Sequence, residues 1–231
     1  MTENQLRTYR KENRLTQLEA ARRLGVSQTY LSLLESGKRH LNKRLERKAA
    51  KLFGLPPTGM PMGSSTSELS VVSDDQLASD LADLGYTGFS HLTRKRKRQK
   101  NPADVLLSAL KAHKRDARLV EALPWLLLNF PDLKWNEVSK VAKAYDLQNR
   151  LGYVTNVARR VAERRGHNET AAKLWKQEAE LQRSLLVREE TLCNESMTQT
   201  ERNWLAQNRP EEAKQWHLLT DLSPHHLSYA K

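Results

Sequence analysis

The stretch Thr16–Gly37, TQLEAARRLGVSQTYLSLLESG, constrains this chain more than any other, because its apolar, small and turn residues fall where two short helices must cross with one left exposed. Thr16 with Glu19 three residues later is a capping box that starts a first helix. Ala20, Leu24, Val26, Leu31 and Leu34 form an inward set whose spacing suits two helices joined by a tight turn, not one straight helix. Gly25 sits where a positive φ ends the first helix, Ser27 can cap the second, and Ala21 is small enough to let two backbones approach. A helical hairpin inside a core would need a second apolar face on the later helix. That face instead carries Ser27, Gln28, Thr29, Ser32 and Ser36, all able to hydrogen-bond, with Leu33 its only apolar member.

This is the geometry of a helix-turn-helix that reads duplex DNA. Residues 3–55, roughly a quarter of the chain, resemble the DNA-binding domain of the phage repressor and Cro (XRE) family of bacterial regulators. The resemblance implies a compact, lambda-repressor-like domain of five helices, near Glu3–Glu12, Gln17–Leu24, Gln28–Ser36 and Lys43–Phe53 with a fifth beyond. It also implies that Gln17 sits against a phosphate, that Gln28, Thr29 and Ser32 face the major groove with Ser27 and Tyr30 among the DNA-binding residues, and that Arg10 and Glu35 form a structural ion pair. A glutamine amide can donate to N7 and accept from N6 of adenine at once, worth about 1 to 3 kcal/mol of discrimination, whereas hydroxyls contact several bases less selectively. Leu33 either meets a thymine methyl or is an exposed leucine without a role.

After Gly37 the chain departs from the family. GKRHLNKRLERKAAKLFGL keeps an inward face of Leu41, Leu45, Ala49, Leu52 and Phe53 but is unusually basic outside. A run of charge is commonly just a solvated face; beside a reading helix, phosphate contact is expected of Lys38, Arg39 and Lys43 ahead of Arg47 or Lys48.

The net charge of +12 only permits a nucleic-acid partner, so its location matters more. Residues 1–55 hold 13 basic against 5 acidic residues, and Arg94–Lys100 adds 6 with none opposed; the remainder holds 20 basic against 22 acidic. The run at 94–100 has three readings: a solvated connector, an arm touching phosphate or entering a minor groove, or a contact to protein or RNA. A membrane-surface protein would need a basic amphipathic helix, and no apolar stretch approaches the ~20 residues of a membrane span. Without a signal peptide, and with the single Cys193 unable to pair within the chain, the expected location is cytoplasmic.

Pro56–Ser73 is rich in Pro, Gly, Ser and Thr and reads as a linker, followed by a short helix over Asp74–Leu84 ended by Gly85. From Asn101 the pattern is helical throughout: a helix capped by Asn101 and Pro102, a strongly apolar one over Asp116–Leu128, one carrying Trp135, Val138, Val141 and Tyr145, and one over Leu147–Glu163. Asn168–Thr191 is the longest helix candidate, with Ala171, Leu174, Trp175, Glu178, Leu181 and Leu185 as its stripe; it has too few clean heptads for a coiled coil, so packing onto its own bundle is preferred. Thr198 with Glu201 is another capping box, and Pro210 opens a last short helix. All five tryptophans lie in this region, where core anchoring is preferred over the lining of an effector pocket or a partner groove. His113, on an apolar face, is expected to be buried and hydrogen-bonded. The region resembles helical segments that follow such heads in uncharacterised bacterial regulators, a similarity that assigns no activity.

The chain carries no phosphate loop, H-E-x-x-H pattern, paired cysteine motif or G-x-S-x-G elbow, and His217, His225, His226 and Cys193 match no structural zinc spacing. Neither catalysis nor a metal or other cofactor is expected. The sequence thus describes an all-α protein: residues 1–55 a helix-turn-helix domain, 56–100 a linker with a short helix and a basic run, 101–231 a helical bundle that dimerises, senses or binds a partner. The expected function is a sequence-specific transcriptional regulator, a repressor, whose helix 28–36 reads double-stranded DNA, as a homodimer and with a small-molecule effector open. The alternative is an antitoxin or phage-defence regulator whose C-terminal domain binds a partner protein, such as a toxin, while the head autoregulates the operon.

Overall fold

The computed structural model describes residues 3–95 and 100–230 and divides into two compact units, Met1–Met62 and Gly63–Lys231. In the first, α1 (Glu3–Glu12), α2 (Gln17–Leu24), α3 (Gln28–Glu35) and α4 (Lys43–Leu52) enclose a core that includes Leu6, Ala20, Leu24, Leu31, Leu34 and Ala49. Each helix from α2 to α4 starts on a side-chain cap, Thr16, Ser27 and Asn42 in turn. Thr16 and Glu19 make the full capping box. The fifth helix expected here is a single 3-10 turn, Pro57–Gly59: Pro56 and Pro57 lack the N–H groups that an α-helix would need to propagate from α4.

The second unit begins earlier than a linker over 56–100 would suggest. Gly63 and Ser64 N–H both donate to the Asp104 carboxylate at 2.8 Å, Val72 N–H donates to Ser108, and Lys111 Nζ donates to the Leu69 carbonyl. These bonds lay residues 63–72 along α6 (Pro102–Lys111) and explain why a segment without periodicity is nonetheless ordered: its backbone is satisfied by side chains. Between them, α5 (Asp74–Leu84) is capped by Ser73 and ends at Gly85 with φ +106°, as its sequence predicts.

The apolar stretch over Asp116–Leu128 is two helices, α7 (Ala117–Glu121) and α8 (Leu123–Asn129), because Pro124 can occupy only a first helical turn. After α9 (Trp135–Ala144), α10 (Gln148–Arg164) is the central helix, buried on every side from Gln148 to Ala158 and packed by α8, α9 and α11 (Asn168–Gln182). Gly152 on α10 makes room for the Trp216 ring; a Cβ there would lie 2.0 Å from it. α11 stops well short of Thr191. Asn149 on α10 accepts the Leu186 N–H and donates to its carbonyl, 2.8 and 2.9 Å, so the chain turns back and Glu190–Thr191 (β1) pairs in parallel with Leu218–Leu219 (β2), between which lie α12 (Gln199–Asn208) and α13 (Glu211–Gln215). Among its described residues the second unit is thus helices and loops, apart from this two-residue ladder and an isolated antiparallel bridge between Lys114 and Asn194.

Arg150 ties the region together, donating to the carbonyls of Leu110 and Ala112 and pairing with Glu190 and Glu195. His113 is bonded to Glu195 at 2.6 Å but stands in solvent rather than buried, because its helix has already ended at Lys111. The tryptophans divide. Trp135 and Trp216 anchor the core and Trp125 joins an aromatic cluster with Tyr86 and Phe130, whereas Trp175 and Trp204 are 59% and 57% exposed, against the expectation for all five. A residue at helical spacing need not lie on the buried stripe, and both sit beside it.

Candidate nucleic-acid interface

Two turns set the exposed helix. Gly25, at φ +70°, closes α2 by donating to the carbonyls of Ala21 and Arg22, and Ser27 Oγ accepts the Tyr30 N–H to open α3 two residues later. Lys48 Nζ donates to the Leu24 carbonyl at 2.7 Å, capping α2 from α4. Glycine is required here by the positive φ; a Cβ would also lie 2.9 Å from that Nζ and displace the lysine tip. The bond also engages Lys48 inside the domain.

α3 is two-faced. Leu31, Leu34 and Glu35 are buried, while Ser27, Gln28, Thr29, Ser32 and Ser36 are exposed. Leu33 is half-buried and Tyr30 packs partly against the core, so these two border the polar face. Past the helix, the N–H groups of Lys38 and Arg39 both donate to the Leu33 carbonyl, folding a tight turn that leaves their side chains exposed; Lys43, in the first turn of α4, is exposed as well.

The orientation of α3 is fixed from below. Arg10 donates through Nε and Nη2 to the two carboxylate oxygens of Glu35, and through Nη1 to the Leu15 carbonyl. Gln17, at the start of α2, donates to Glu35 at 2.9 Å. Burial pushes the Glu35 carboxyl up, but the hydrogen bonds from Arg10 and Gln17 outweigh it and hold the group below the usual range. Gln17 was expected to meet phosphate. One N–H of its amide is spent on Glu35, which leaves the second N–H for an outside acceptor and gives the residue a positioning role that its sequence context did not announce.

Among its described residues the second unit offers no comparable constellation. Arg94 bonds Asp83 at 2.9 Å and Asp80, and Lys100 pairs with Asp80, so the two ends of the basic run are held by α5; residues 96–99 of that run lie outside the described residues. Cys193 is fully buried, its thiol pushed up to about 11 by that burial. His217 is bonded to the Leu186 carbonyl and His225 lies against Arg164. Among the described residues no three His, Cys, Asp or Glu side chains converge to hold a metal ion, and no helix is long and apolar enough to cross a membrane.

Two crossed helices on a capped turn, the second with a polar outer face, define a helix-turn-helix DNA-binding domain of a transcriptional regulator. Residues 6–60 match the helix-turn-helix family model, and the N-terminal unit is a domain of the XRE type, the kind found in phage repressors and Cro. No curated protein and no solved structure matches the chain.

Proposed function

We propose that the protein is a sequence-specific transcriptional repressor in which α3 reads the major groove, with Gln28 as the principal base reader, Ser27, Thr29 and Ser32 beside it, Tyr30 and Leu33 at its border, and Gln17, Lys38, Arg39 and Lys43 on phosphates. The observation that carries this reading is the asymmetry of α3: its apolar side is buried and its hydrogen-bonding side is open. Phosphate contacts set register and base contacts set specificity, so the exposed cations around a polar helix supply both. A single module covers few base pairs, and the second unit is assigned the role of joining two copies over a palindrome whose half-sites lie about 34 Å apart. Titrating the full chain onto palindromic and half-site duplexes tests this. Binding that is no tighter to the palindrome contradicts it.

One observation supports the partner-binding variant of this function. Exposed Trp204 borders a cavity of about 450 Å³ with Met197, Leu205, Asn194 and Asp221, an apolar and polar mixture of the kind that accepts a partner side chain or an effector. In that variant the protein is an antitoxin or phage-defence regulator that represses its own operon. Co-purification of the product of a neighbouring reading frame, lost on Trp204→Ala, tests it; retention of the partner by that variant counts against this groove.

A further inference from the structure

α11 lies on α10 through an inner stripe of Ala171, Leu174 and Leu181, and Glu178 on the same side bonds Arg159 and Asn156. One step round the helix, Ala172, Trp175, Ala179 and Gln182 recur at alternating spacings of three and four residues, the register of a helix-packing seam. This second stripe faces outward: Trp175 is 59% exposed, Ala172 and Gln182 are exposed, and Ala179 is half-buried. An indole standing between two alanines on a regular helix is a knob beside holes.

We propose that this stripe is where two copies of the chain meet, with the two α11 helices antiparallel about a twofold axis near Gln177; the inference rests on the reading of the protein as a dimeric DNA-binding regulator. Size complementarity argues for that arrangement. It sets Trp175 of each copy opposite Ala179 of the other and Ala172 opposite Gln182, large against small in every layer. A parallel pair would set indole on indole and leave a gap between alanines. Charge argues the same way. Exposed Glu169 lies at the start of the helix and exposed Arg183 just past its end, on one flank of the stripe, so antiparallel copies bring these opposite charges together at both ends, with exposed Lys176 near its own copy at the axis. Glu169 also pairs with Lys173 within its own helix, at 3.0 Å, a cation it shares with Asp132. The contact is isologous, the form that closes at two subunits.

The test uses the full chain in two measurements. Sedimentation is expected to give a dimer for the wild type and a monomer for Trp175→Glu, with the dissociation constant raised at least ~30-fold and the helical circular dichroism unchanged. Oxidation of Ala172→Cys/Gln182→Cys is expected to give a covalent dimer that neither single variant gives; the two cysteines, roughly 15 Å apart along one helix, cannot close within a chain. A wild type that stays monomeric at its highest soluble concentration overturns both this face and the dimeric reading. A dimer that survives Trp175→Glu overturns the face alone, and loss of the dimer in Trp175→Glu without the covalent product overturns the antiparallel register.

Discussion

Arg10 Nε lies 2.6 Å from Glu35 Oε1 and Arg10 Nη2 2.9 Å from Glu35 Oε2, a two-pronged ion pair in which the residues are 8% and 6% exposed. It fastens the first helix of the N-terminal unit to the end of the helix assigned to base reading. Removing one partner would strand a buried charge. Arg10→Met is expected to cost the N-terminal unit about 3 to 5 kcal/mol in urea unfolding, and Arg10→Met/Glu35→Leu to recover most of it. Equal stability of the two variants would mean the pair is not buried as described.

The same pair sets a pH dependence. Because hydrogen bonds from Arg10 and Gln17 outweigh burial and depress the Glu35 carboxyl when folded, the unfolded chain binds the proton more readily. The contribution is therefore complete above the unfolded value, about 4.3, and is lost as pH falls through the lower folded value. Acid titration of the N-terminal unit is expected to be shallower in Arg10→Met/Glu35→Leu than in the wild type below about pH 4.

Gly152 and Trp216 make a second test, independent of DNA. With the indole where a Cβ would stand, Gly152→Ala is expected to destabilise the second unit by about 1 to 3 kcal/mol, although alanine is the better helix former. Thermal unfolding checks it; a rise in melting temperature would show that Trp216 moves freely.

Both described ends of the basic run are anchored on α5. Arg94 is held by Asp80 and Asp83, both buried, so Arg94→Gln is expected to lower the stability of the second unit by about 1 to 3 kcal/mol. Chemical unfolding of Arg94→Gln measures this. A variant as stable as the wild type would show that the two carboxylates find other partners.

Much of the DNA-binding unit was legible because its signals are local. Thr16 with Glu19, Gly25 and Ser27 punctuate the chain within a few residues, and all three act as their positions predict. What escaped were arrangements made by residues distant in sequence. Lys48 caps α2 from α4, Gln17 braces Glu35, and Asn149 captures Leu186 and so ends α11 without a glycine or proline to mark the spot. The apparent linker failed for the same reason, since the groups that order Gly63 and Ser64 belong to Asp104, some forty residues on. Periodicity placed Trp175 on the inner stripe of α11, but the helix turns it just past the contact with α10.

The reading of α3 stands or falls on whether its outer face is presented to base pairs. Selecting bound duplexes from a random pool with the wild type, Gln28→Ala and Gln17→Ala tests it most directly. A palindromic motif is expected for the wild type, loss of preference at one base pair per half-site at a cost of about 1 to 3 kcal/mol for Gln28→Ala, and uniformly weaker binding with the motif intact for Gln17→Ala. An enriched motif that is identical for wild type and Gln28→Ala, at equal affinity, would contradict it.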